Sequence, residues 1–139
     1  MKAVTQPSTG TAAGVPYVLI SPLVQLRPLV IAAAATYGFT YPWTPESDAV
    51  ADRLDFVARA AELGAPVLAV VGAEDEQHSH TSAAALVAVL DSAELVVVDG
   101  MGHALAEEPG LEPAPQTPHA AQVDRATVAW LREHLPPGA

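Results

Sequence analysis

Short runs of consecutive apolar residues alternate along the chain with segments whose apolar positions recur every three or four residues. The runs are Val15–Ile20, Pro66–Val71 and Ala93–Val98. Val15 to Ile20 is apolar on successive positions, the pattern of a strand covered on both faces, and Pro16 is tolerable only at its first residues. The run at Pro66 leads into Gly72-Ala73-Glu74-Asp75-Glu76, and the one at Ala93 leads into Asp99-Gly100-Met101-Gly102-His103-Ala104-Leu105.

The helical segments are set off by start and stop signals. Ser47 to Leu63 opens with Pro45 and Ser47, carries Asp48 where the helix dipole favours negative charge, and ends at Gly64. Its apolar residues Val50, Leu54, Val57 and Ala61 fall on one face. His80 to Asp91, with Ala84, Leu86, Val87 and Leu90, predicts a second helix. Thr117-Pro118 caps and opens a last one, running to Leu135 and burying Val123, Thr127, Trp130 and Leu131. Between Leu23 and Trp43 the pattern is less regular. Leu29 to Tyr37 suits a helix, and Tyr37 to Trp43 gathers aromatics with Gly38 and Pro42. That stretch reads either as a packed loop or as part of a lid or pocket wall, with Tyr41 and Trp43 lining the substrate pocket in the second case.

Strand and helix thus alternate, which predicts an α/β fold with parallel strands, right-handed crossovers and helices layered on the sheet. Residues 1–14 read as a flexible lead-in, 15–135 as the domain and 136–139 as a tail. In sheets of this class ligands sit at the carboxyl ends of strands. Asp75 and His103 both fall just past such ends.

Composition narrows the function classes. The chain has 139 residues, half of them apolar, and a net charge of −10 with one lysine and five arginines. No basic patch exists to neutralise phosphates, so no nucleic-acid partner is expected. Cysteine is absent, which removes disulfides, a thiol nucleophile and thiolate metal sites, and fits a cytoplasmic setting. The long apolar stretch from Val15 to Ala35 is broken by Ser21, Pro22, Gln25, Arg27 and Pro28, so no membrane span is expected. The start of the chain lacks the apolar core of a signal peptide.

Histidine is suited to general-base work because its ordinary pKa of about 6.5 lies near working pH. It needs an acid on its other nitrogen to fix the tautomer and stabilise the imidazolium. Asp75 is preferred as that acid over Glu74 and Glu76, because its short side chain holds a geometry more tightly. Asp99 better suits a turn contact. Gly100 and Gly102 permit a tight approach to His103. His78 and His80, with Glu74 and Asp75 nearby, suggest a metal pair, but an i, i+2 spacing splays the rings. No metal and no cofactor is expected.

The acid loop Gly72-Ala73-Glu74-Asp75 and the histidine loop Gly100 to Leu105, followed by Glu107-Glu108-Pro109, resemble those of the α/β-hydrolase superfamily. Val18-Leu19-Ile20-Ser21-Pro22 resembles the strand before that family's lid or cap insertion, which places a lid remnant at 23–45. The resemblance covers about 15–135 and corresponds to the last three strands of a three-layer fold. It implies a serine hydrolase acting on a carboxylic ester or peptide-like acyl bond, with His103 as base and Asp75 as its orienting acid.

The family's Gly-x-Ser-x-Gly elbow is nowhere in the chain. Ser8, in Gln6-Pro7-Ser8-Thr9-Gly10, has no strand before it and no room for a helix after it. Ser21 stands at a strand's carboxyl end, but Pro22 removes the backbone N–H that the following residue gives to the oxyanion hole. The nucleophile is therefore expected from elsewhere. The run over 15–20 would then be an open apolar edge that invites self-association or a complementary chain. Two further readings are a non-catalytic remnant serving as an interaction module, and a small-molecule binding protein using Tyr37 to Trp43.

Overall fold

Six residues without a polar side chain, Val67–Gly72, form the middle strand of a parallel sheet in a computed structural model that describes residues 14–103 and 115–135. All six are buried. Tyr17–Ile20 (β1) pairs with this strand (β2) from Tyr17 opposite Val67 to Ile20 opposite Val70. Ala93–Val98 (β3) pairs on its other side, from Ala93 opposite Val67 to Val98 opposite Gly72. Three parallel strands in the order β1-β2-β3 are the sheet that alternation of strand and helix implied.

The helices divide between the two faces because successive strand residues point in opposite directions. Leu68 and Val70 pack with Val98, Met101, Val123 and Trp130 beneath Pro118–His134 (α4). Val67 packs with Val24, Ala60, Leu86 and Leu90, and Ala69 and Val71 with Ala83, on the side of Gln77–Val89 (α3). The core is therefore layered, with the sheet between α3 and α4. The Thr117 hydroxyl accepts from the Ala120 amide at 3.1 Å to cap α4. Trp130 Nε1 donates to Glu94 at 2.9 Å, tying α4 to β3.

Several elements depart from the sequence expectation. β1 is not buried on both faces: Tyr17 is 46% and Ile20 41% exposed, because no strand among the described residues pairs with its outer side. The predicted helix over 47–63 is two pieces, Pro45–Arg53 (α2) and a short 3-10 turn at Ala60–Glu62. Asp55 ends the first piece by a local alternative to helix. Its carboxylate accepts from the Ala58 amide and from Gln25, while the Phe56 amide donates to the Val24 carbonyl. The expected apolar face consequently forms only in part: Val57 packs against the core on the α3 side. Val50 and Leu54 are exposed, and Ala51 and Ala60 are buried instead.

Leu26–Tyr37 (α1) starts earlier than expected and ends at Gly38, whose left-handed backbone (φ 69°) caps it. α3 begins at Gln77, so His78 and His80 lie on its first turn. The lead-in up to residue 13, with Ser8, lies outside the described residues, as do residues 104–114 and the tail from residue 136. Among the described residues, no helix is long and apolar enough to cross a membrane.

Candidate functional site

Two loops leave the carboxyl ends of β2 and β3 and are knitted together by backbone. The Ala73 amide donates to the Val98 carbonyl at 2.8 Å and the Glu74 amide to Met101 at 3.0 Å. Met101 is itself fully buried in the α4-side core. This closeness depends on Gly72, where a Cβ would lie 1.8 Å from the Met101 carbonyl oxygen. Gly100 turns the second loop with a left-handed φ of 69°. Gly102, expected to share that task, has no positive φ and faces open space. Gly72 is the residue that sequence reasoning undervalued. The available signal was a glycine closing an otherwise β-branched and apolar strand, which marks a close backbone approach.

These loops bring Asp75 and His103 together. His103 Nδ1 lies 3.0 Å from Asp75 Oδ1; the Asp75 side chain is fully buried and that of His103 is 53% exposed. A carboxylate only accepts, so Nδ1 carries the proton and donates. Nε2 is left as the acceptor. Oδ1 also accepts from the Glu76 amide at 2.7 Å, whereas Oδ2 is buried without a hydrogen bond. Burial pushes the Asp75 pKa up. Hydrogen bonding from Ser21, the Glu76 amide and His103 outweighs it and holds the carboxyl below its ordinary value.

The sign of that shift gives a stability prediction. A carboxyl whose folded pKa is depressed contributes stability that is complete above its unfolded value, about 3.9, and is lost as pH falls through the folded value. Urea unfolding from about pH 6 to about pH 2 is expected to show that loss, with Asp75→Asn flattening the acid limb. An identical acid limb in the variant would contradict the assignment.

Of the rival acids, Glu74 contributes its backbone amide to the loop contact, and the Glu76 carboxylate lies 3.1 Å from His78 Nδ1. Asp99 is exposed. Ser21, the first residue after β1, donates from Oγ to the His103 carbonyl at 3.3 Å, and its own amide donates to the Val70 carbonyl at 2.8 Å. Tyr41 and Trp43 stack edge to face with centroids 4.7 Å apart, and the Arg27 guanidinium sits 4.8 Å over the Trp43 ring. Arg27 is in turn paired with Asp48 and Asp52 of α2. The aromatic pair is thus anchored at the α1–α2 junction.

Among the described residues, no group of three or more His, Asp or Glu is placed to hold a metal ion. An apolar groove of about 620 Å³ runs along β1, lined by Tyr17, Leu19, Val24, Phe56, Leu63 and Val67. A more polar hollow of about 530 Å³ between α1 and α3 is lined by Gln25, Thr36, Glu76, His78 and Ser82 among others. No protein-family model, no curated protein and no solved structure matches this chain.

Proposed function

We propose that this chain supplies the acid and the base of a serine hydrolase of the α/β-hydrolase type, acting on a carboxylic ester or peptide-like acyl bond. The observation that carries the reading is the 3.0 Å contact between a buried Asp75 and a half-exposed His103 at the carboxyl ends of neighbouring parallel strands. His103 Nε2 takes the proton from a serine hydroxyl as that oxygen attacks the acyl carbon, and Asp75 stabilises the resulting imidazolium. The same proton passes to the leaving alkoxide or amine. A water molecule, activated by the same nitrogen, then releases the acid product.

The serine comes from another segment or chain, since no Gly-x-Ser-x-Gly sequence is present. The unpaired side of β1 is where that segment docks, adding a strand to the sheet. Residues 23–45 serve as the lid, and Tyr41 and Trp43 as part of the pocket wall.

Fluorophosphonate treatment of the isolated chain tests the assignment of the nucleophile. No adduct by intact mass is expected, whereas a stoichiometric adduct on Ser8 or Ser21 that is lost in His103→Ala would overturn it. The exposed edge gives a second expectation. On its own the chain self-associates at concentrations on the order of tens of micromolar, as unpaired strand edges do. A monodisperse monomer by light scattering would contradict the open-edge reading.

A further inference from the structure

We propose that Ser21 is a positioning residue for the Asp75–His103 pair, its hydroxyl holding the histidine loop against the acid across the carboxyl end of the sheet. This rests on the reading of that pair as acid and base. Ser21 is fixed against the middle strand by its amide, which donates to Val70 at 2.8 Å. Its backbone is left-handed with φ 46°, the one non-glycine residue so placed among the described residues. Serine adopts that conformation at a cost that glycine avoids. What serine adds to the position is the hydroxyl.

The hydroxyl ties the histidine loop to the end of β1. Oγ donates to the backbone carbonyl of His103 at 3.3 Å, joining residues 82 apart in the sequence. Ser21 also helps to hold the Asp75 carboxyl below its ordinary value, on a side chain whose Oδ2 is buried and makes no hydrogen bond. A hydroxyl rotates to suit its acceptors, so the Oγ proton is free to turn from the His103 carbonyl. A buried carboxylate oxygen without a donor is costly, so the rotor has a clear second target.

This assignment also separates Ser21 from the nucleophile. Its hydrogen bond goes to the main chain of His103, not to the Nε2 that would take a nucleophile's proton. By holding the loop's backbone and the acid together, Ser21 keeps Nδ1–H aimed at Oδ1. It thereby selects the tautomer that leaves Nε2 free to accept.

The test reads that tautomer directly, by long-range 1H–15N NMR of His103 in the chain as it stands, at a pH where imidazole is neutral. In the wild type the Nδ1–H form is expected to dominate. Ser21→Gly suits the left-handed backbone and removes the hydroxyl together with its Cβ. Its ratio of Nδ1–H to Nε2–H is expected to fall about fivefold, the effect of losing one net hydrogen bond. Ser21→Asn tolerates the same backbone, carries an amide donor, and is expected to restore most of the ratio. Circular dichroism checks that all three are folded.

An unchanged ratio in Ser21→Gly would overturn the proposal. A drop that Ser21→Asn does not reverse would also overturn it, by assigning the effect to chain flexibility. A wild type already dominated by Nε2–H would sink the acid–base reading itself, a failure visible before any variant is made.

Discussion

Gly72→Ala is expected to destabilise the fold by roughly 3 kcal/mol or more, the scale of forced overpacking against a part that cannot move. The added methyl would lie 1.8 Å from the Met101 carbonyl oxygen and 2.8 Å from that of Gly102. Backbone oxygens cannot swing aside as a long side chain can. Met101 is also held: its side chain is fully buried, its amide donates to Val98, and its carbonyl accepts from Glu74. Relief therefore requires the two loops to separate, which breaks the Glu74–Met101 bond and draws Asp75 away from His103. Urea unfolding measures the loss, and the His103 ring resonances report the broken pair. A variant of wild-type stability would mean that the loops are not packed this closely.

In the catalytically complete assembly, His103→Ala is expected to reduce kcat/KM for a short-chain ester on the order of 10³- to 10⁴-fold. Asp75→Asn should be nearly as severe for a different reason. An asparagine can turn its amide N–H toward Nδ1, which moves the ring proton to Nε2 and leaves no acceptor for the serine proton. The two variants therefore lose the same step, one by deleting the base and the other by occupying it. Steady-state kinetics with a p-nitrophenyl ester measures both. Glu76→Gln, whose carboxylate faces His78, should leave the rate within severalfold of wild type. A loss as large as that of Asp75→Asn would reassign the acid.

The fold was legible where a single physical signal dominated. The middle strand could be read because unbroken apolar residues have few alternatives to a covered strand. α4 could be read because Thr117 and Pro118 fix its start and Trp130 marks its buried side. The segment after Arg53 misled because apolar spacing alone does not register competition from Asp55, whose bonds to Ala58 and Gln25 stop the helix. β1 misled in another way, since an apolar sequence says that a strand wants cover and not that cover is present.

The site was legible in part for a related reason. Asp75 and His103 could be named because strand-end position and side-chain chemistry agree, two independent constraints on the same residues. Gly72 and Ser21 act through contacts between segments far apart in the chain. Nothing near Gly72 in the sequence announces the Met101 carbonyl, and nothing near Ser21 announces a bond to residue 103.

The central claim is that His103 acts as base to a serine supplied by another segment. The most direct measurement is fluorophosphonate labelling of the chain recovered in its native association, followed by intact-mass analysis of every polypeptide present. The account predicts one serine adduct, on a polypeptide or segment outside these 139 residues, formed with the wild-type chain and lost with His103→Ala. A serine adduct that forms at the same rate with His103→Ala would contradict it, because the nucleophile would then be activated without this histidine.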